Sequence, residues 1–402
     1  MNEPRPFDIV LWGATGFTGR LAVDYMHRAY ANSNVKWAIA GRNPSRLEAI
    51  DSARGLTILT ADANDPDSLR QLVAQTRVIL TTVGPYARYG SELVAACAEG
   101  GTHYCDLTGE VHWIRDMIDR HQQTAEKSGA IIVPTCGFDS IPSDIGVYCL
   151  QRAMLETTHG IPSPHIRYRT REMSGGFSGG TLDSMMAMME QAETDPSLFD
   201  LMADPYNLND DWRGLDGLDN TRAFYDADFK SWIAPFVMAP INTRVVRRSN
   251  ELLGMRYGHE FRYEEGMAVG DGVQGRLTAN GLSIGLSAMQ GLPRFGPTRR
   301  LMQRMLPKPG EGPSEDAIRN GYFNIEMLAK HPSRPDGDMR LNIHGDEDPG
   351  YGATARMLAE CAVCLAQDEL PVGGGFWTPA SAMGDQLLAR LPDNAGITFD
   401  LS

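Results

Sequence analysis

The stretch Gly13-Ala14-Thr15-Gly16-Phe17-Thr18-Gly19 constrains this chain more than any other. It follows Phe7–Trp12, which reads as a short buried strand, and precedes Arg20–Met26, which reads as a helix. A strand, a glycine turn and a helix in that order form the phosphate cradle of a dinucleotide-binding fold. Gly13 permits the tight turn, Gly16 lets the backbone approach a pyrophosphate, and Gly19 lets the helix pack close to the sheet. The first amides of the helix then face the anion, with the helix dipole behind them. The bland alternative, three glycines that mark only a turn, does not account for the strand and helix on either side.

A second position selects the cofactor. Val35–Gly41 reads as the next parallel strand and is followed by Arg42, where an NAD-preferring site places Asp or Glu against the ribose 2′-hydroxyl. An arginine there suits a 2′-phosphate instead, and Arg46 adds charge nearby. NADP(H) is therefore expected over NAD(H). Asp62, after a third strand over residues 56–61, joins the expected cofactor-binding set.

Residues 1–136 go on alternating strand and helix. Strands are predicted over 77–83, 102–106 and 130–135, with helices over 66–74, 93–99 and 113–127. Six strands with intervening helices predict an α/β chain whose N-terminal part, residues 1–150, is a doubly wound parallel sheet. Longer alternating segments at 165–172, 258–264, 322–330 and 339–344, the last two joined by a turn, predict an inserted α+β domain over residues 151–345. That domain is expected to be built on an antiparallel sheet. Residues 346–402 are expected to return to the nucleotide domain through a helix at 351–367.

The net charge of −14 argues against non-specific nucleic-acid binding, although Arg244, Arg247 and Arg248, and later Arg294, Arg299, Arg300 and Arg304, form local basic clusters. Residues 204–220 form a long acidic loop, and residues 307–316 a turn-rich one. No basic stretch followed by an apolar run stands at the N-terminus, and no apolar run is long enough to span a bilayer. Residues 277–292 read first as a core helix, with a partner surface or a membrane-resting helix as alternatives. Six scattered cysteines, including Cys361 and Cys364 within an apolar helical stretch, read as small buried hydrophobes. No metal-ligand spacing appears among the nine histidines. A reducing cytoplasm, with or without peripheral membrane contact, fits.

Ligands of such a sheet sit at the carboxyl ends of its strands. That rule selects Thr82, Val83, Gly84, Pro85 and Tyr86 after the fourth strand. It selects Tyr104, Asp106 and Thr108 after the fifth, and Cys136, Gly137, Phe138, Asp139 and Ser140 after the sixth. Val83, Gly84 and Pro85 are expected to pass over the nicotinamide ribose. Tyr86, Tyr104 and Asp106 are the candidate proton relay. Asp139 reads equally as a helix cap. Ser178-Gly179-Gly180-Thr181, ahead of the Met-rich helix 182–190, reads as a helix cap or as a second anion- or carbonyl-binding loop. No tyrosine is followed four residues later by lysine, so the acid–base pair of short-chain dehydrogenases is absent; Tyr148 with Arg152 comes nearest.

These motifs, together with Tyr104–Glu110, Gly137–Asp144, Pro307–Pro313, Asp348–Tyr351 and Trp377–Gly384, resemble the saccharopine dehydrogenase-like oxidoreductases over nearly the whole chain. Within them, the match is to the branch of trans-acting enoyl reductases. The resemblance implies a Rossmann domain, an inserted α+β domain, NADP(H), and an acyl or polyketide lipid-like substrate presented on a carrier. It also implies association with lipid or lipid-making machinery, and a homodimer stays open. Two other readings remain: a saccharopine-type amino-acid dehydrogenase, favoured by Arg167, Arg169 and Arg171 on one strand face, and a non-catalytic NADP(H)-binding sensor or scaffold.

Overall fold

The computed structural model describes residues 5–51, 54–175, 195, 197–291 and 312–402. Six strands, β1 (Phe7–Trp12), β2 (Trp37–Gly41), β3 (Thr57–Thr60), β4 (Thr76–Thr81), β5 (His103–Cys105) and β6 (Ile131–Val133), lie parallel. A further strand that the sequence reading did not anticipate, Gly375–Phe376, adds to the β6 edge. The spatial order, ending in β6-β5-β4-β1-β2-β3, is doubly wound.

Alternation along β1 explains how the sheet is covered on both faces. Ile9 and Leu11 point into one apolar layer, with Val78, Leu80 and Val133, under α1 (Phe17–Tyr30) and the helix Gly352–Gln367. Val10 and Trp12 point the other way, with Ile79, Tyr104 and Ile132, under the helices Pro66–Val73, Ser91–Gly100 and Val111–Ser128. A strand buried on both faces reads as a continuous apolar run, as β1 and β4 do.

The second sheet contains seven strands in which His165–Ser174, Tyr322–Ala329 and Arg262–Ala268 are central. It is mixed rather than antiparallel, because His165–Ser174 and Arg262–Ala268 run parallel in register His165↔Arg262. The physical reason is the long crossover between them, which contains the helix Ala239–Leu252 and returns the chain in the same direction. The expected strand at 258–264 begins four residues later, since Gly258 to Phe261 close a turn. The hairpin Tyr322–Ala329/Met339–Gly345 forms as predicted, and Ile397–Leu401 pairs with its second strand. The helix Ile141–Thr157 packs on the second sheet against Tyr322–Ala329 and Met339–Gly345, and its first eleven residues are buried.

The basic cluster in the helix Ala239–Leu252 is internal. Arg247 donates to Asp216, to the Pro205 carbonyl and to the Tyr263 carbonyl, and its guanidinium lies over the Tyr206 ring. Arg244 pairs with Asp219, and Arg248 donates to the Leu208 carbonyl. These arginines hold the acidic 204–220 loop against the body, which is why neither charge run forms a free patch. The 277–292 stretch also departs from expectation. Among the described side chains of the helix Gly272–Gly291, Gly275, Ala279 and Ser283 are buried, while Val273, Leu277, Leu282 and Ile284 are exposed. Ser178–Thr181, the 182–190 stretch and Arg294, Arg299, Arg300 and Arg304 lie outside the described residues. The turn-rich 307–316 loop is described only from Gly312, and Ser314 there caps a short helix starting at Glu315.

Replacing Arg247 by Ala strands the half-buried Asp216 carboxylate and two carbonyls. Removing one partner of a buried pair costs about 3–5 kcal/mol. The urea midpoint is expected to fall accordingly, with hydrogen-exchange protection lost first at 204–220.

Candidate functional site

Four loops leave the carboxyl edge of the parallel sheet side by side. They are 13–16 after β1, 82–85 after β4, 106–110 after β5 and 134–140 after β6. Gly13 has φ +96°, and a Cβ there would lie 2.6 Å from Val83 Cγ2 and 2.8 Å from Thr82 Oγ1. A Cβ on Gly19 would meet the Gly13 carbonyl oxygen at 2.1 Å. The first two loops are thus pressed together, and the Thr82 hydroxyl donates to the Gly13 carbonyl at 3.2 Å.

Gly16 caps α1 without any side-chain hydrogen bond, and only the Gly13 oxygen lies near its Cβ position. The first-turn amides of a fourteen-residue helix are therefore open toward an anion. Thr15, Phe17 and Thr18 border the same opening, while Ala14 and Gly19 are buried. Arg42 is exposed at the end of β2 and makes no ion pair among the described residues. Asp62 accepts from the Asn64 amide at 2.9 Å at the end of β3. A cradle that any Cβ would fill, open helix amides and an unengaged arginine beside them fit a dinucleotide carrying a 2′-phosphate.

Beyond the cradle lies a buried polar cluster. Asp106 accepts from the Thr108 amide at 2.9 Å, the Thr135 amide at 3.0 Å and the Tyr104 hydroxyl at 2.7 Å. The Tyr86 hydroxyl donates to the Thr81 carbonyl and accepts from the Leu107 amide. Burial pushes the Asp106 carboxyl up to about 7 even though three hydrogen bonds oppose it. Tyr86, Tyr104 and Asp106 come together in this cluster. All three are enclosed, with their polar atoms engaged by protein.

Asp139 differs. It does not cap the helix Ile141–Thr157, a place taken by Ser140. It keeps partial solvent contact and makes no hydrogen bond or ion pair among the described residues. Burial, and then the negative charge of Asp106, raises its carboxyl to about 7.

Glu110 is a positioning residue the sequence reading did not single out. It accepts from the Tyr86 and Ala87 amides, each at 2.9 Å, and so fixes the turn that carries Gly84 and Pro85. No local pattern announces this, because its partners lie more than twenty residues upstream. The loop ahead of the helix Gly352–Gln367 closes one side of the cradle. The Phe17 ring stands edge-on to Tyr351 at 4.6 Å, and Asp348 accepts from the amides of Gly350, Tyr351 and Gly352. The spacing Asp348-Pro349-Gly350 was the available signal for that turn.

Arg167, Arg169 and Arg171 do share a face, but each guanidinium is held by a protein carboxylate. Arg167 and Arg169 pair with Asp226, Arg171 with Glu326, and all three lie over the Phe229 ring. They are not offered to a ligand. Among the described residues no group of His, Cys, Asp and Glu is placed to hold a metal ion, and all six cysteines are free and buried.

Residues 9–133 match the saccharopine dehydrogenase NADP-binding domain family. A Mycobacterium tuberculosis protein that carries the name of trans-acting enoyl reductase is 44% identical over 418 residues, covering 98% of this chain and 97% of its own length. The trans-acting enoyl reductase of Mycobacterium ulcerans is 38% identical over 422 residues, covering 97% of each. Among solved structures, the apo L-glutamate-forming saccharopine dehydrogenase of Saccharomyces cerevisiae matches with a TM-score of 0.53 at 11% identity, over 98% of this chain and 99% of that one. That last likeness is one of fold. No helix among the described residues is long and apolar enough to cross a membrane.

Asp106→Ala is expected to strand two buried amides, each costing about 1–3 kcal/mol. Urea unfolding should show that loss, and Asp106→Asn, which keeps an acceptor oxygen, should recover part of it.

Proposed function

Because the chain belongs to the saccharopine dehydrogenase-like oxidoreductases, in the branch of the trans-acting enoyl reductases, we propose that it reduces the 2,3-double bond of an acyl chain. The chain is held as a thioester on a carrier, and NADPH is the reductant. Gly13, Ala14, Thr15, Gly16, Phe17, Thr18 and Gly19 hold the pyrophosphate by backbone amides. Arg42 meets the 2′-phosphate, Asp62 borders the adenine end, and Val83, Gly84 and Pro85 line the path to the nicotinamide. The bound cofactor supplies a hydride for the β-carbon.

The remaining requirement is a proton for the α-carbon, and the observation that carries the assignment is Asp139. It is the carboxyl at this edge of the sheet that is without a hydrogen-bond partner among the described residues and still reaches solvent. With its carboxyl raised to about 7, it retains a proton near neutral pH. Tyr86, Tyr104 and Asp106 act behind it. They fix the loops and, through the charge of Asp106, keep the Asp139 proton in place. An amino-acid substrate of the saccharopine type needs free cations for two carboxylates, and the engagement of Arg167, Arg169 and Arg171 weighs against it.

Two measurements test this. Arg42→Ala should weaken NADPH binding by roughly 10- to 150-fold, the worth of a charge-assisted hydrogen bond, and leave NADH binding nearly unchanged. Equal losses in a fluorescence titration refute the assignment. NADPH oxidation should be seen with a panel of 2-enoyl thioesters, and kcat/KM should fall as pH rises through about 7, where Asp139 loses its proton. Asp139→Asn should lower kcat by about 10²- to 10⁴-fold and abolish that limb of the profile. Tight NADPH binding without turnover of any enoyl thioester would favour the sensor reading.

A further inference from the structure

The Asp139 carboxyl has no hydrogen bond of its own among the described residues, so the backbone that carries it decides where it points. That backbone is a tight turn. The Ser140 and Ile141 amides both donate to the Gly137 carbonyl, at 3.2 Å and 2.9 Å. The turn is fastened on either side of Asp139. After it, the Ser140 hydroxyl donates to Asn242 Oδ1 at 3.3 Å, and Asn242 donates in turn to the buried Glu265 at 2.9 Å. Before it, the Phe138 ring stands edge-on to Phe323 at 4.9 Å, and the Phe138 amide donates to Thr354 Oγ1 at 3.0 Å.

Thr354 makes a second bond. It is buried in the first turn of the helix Gly352–Gln367, and its hydroxyl donates to the Pro349 carbonyl at 2.7 Å. Pro349 belongs to the turn that Asp348 closes, and Tyr351 of that turn meets the Phe17 ring at the cradle. The Thr354 methyl lies against Gly137, where a Cβ would come within 3.2 Å of it. One hydroxyl therefore joins the loop beside the cofactor cradle to the turn that bears Asp139. Valine has the same shape but neither accepts nor donates, so filling the space does not require the hydroxyl.

We propose that Thr354 is a positioning residue for the reduction: its hydroxyl fixes the turn that aims the Asp139 carboxyl and ties that turn to the wall of the cofactor cradle. This rests on the assignment of Asp139 as the proton donor.

The test compares variants of the full-length protein with the 2-octenoyl thioester of N-acetylcysteamine as substrate. Thr354→Val should lower kcat by about 10- to 10²-fold, with the KM for the thioester and the affinity for NADPH within roughly twofold of wild type. Thr354→Ser, which keeps the hydroxyl, should recover most of that loss. In an Asp139→Asn background Thr354→Val should cost little more, because no donor is left to aim. Independently of turnover, hydrogen exchange followed by mass spectrometry should be roughly tenfold faster over residues 137–141 in Thr354→Val, with the helix Gly352–Gln367 unchanged. Unchanged kcat in Thr354→Val, a serine variant as impaired as the valine one, a full further loss in the Asp139→Asn background, or unchanged exchange over 137–141 overturns the positioning role. Each does so even where Asp139→Asn alone shows the loss expected of a proton donor. Wild-type kcat in Asp139→Asn instead overturns the assignment of Asp139 itself, and the aiming role falls with it.

Discussion

The Asp106 carboxyl group is the point on which the carboxyl edge of the parallel sheet depends. One side chain accepts from the Thr108 and Thr135 amides and from the Tyr104 hydroxyl, while its own carbonyl accepts from the Cys136 amide. The ends of β5 and β6 are therefore a single rigid unit. Thr108 passes that rigidity to Glu110 through its hydroxyl, and Glu110 passes it on to the amides of Tyr86 and Ala87. The turn containing Gly84 and Pro85 is thus positioned by a chain of hydrogen bonds that begins at the end of the neighbouring strand. A buried carboxyl is costly unless its oxygens are occupied, and here Oδ1 holds two backbone amides while Oδ2 holds the Tyr104 hydroxyl.

The parts legible in the sequence were those set by local pattern. The strand–glycine–helix unit, the apolar runs of β1 and β4, and the hairpin at 322–345 depend on periodicity and turn residues, and these sit in contiguous sequence. The parallel pairing of His165–Ser174 with Arg262–Ala268 was not legible, because alternation along a strand carries no information about the direction of its neighbour. Nor was the fate of Arg167, Arg169 and Arg171. Their spacing correctly placed them on one face, but Asp226, Glu264 and Glu326, which neutralise them, come from distant strands and loops. The helix Gly272–Gly291 misled in the opposite way. Its composition is that of a core helix, and only the side on which its small residues fall decides which face is buried.

The same contrast runs through the site. Glycines whose Cβ positions are occupied by neighbours announce a cradle from sequence, because spacing and function coincide there. The carboxylates beyond the cradle offer no such pattern. Asp106 and Asp139 are each a carboxylate after a strand, and what separates them is three-dimensional. One has every oxygen engaged and the other keeps access to solvent.

The last residues of the described chain touch both sheets. Gly375–Phe376 is an edge strand of the first, and Ile397–Leu401 is an edge strand of the second. A polypeptide made from its N-terminus cannot complete either sheet until these segments have left the ribosome. Each sheet therefore takes an edge strand from the same stretch, 375–401, which couples the completion of one sheet to that of the other.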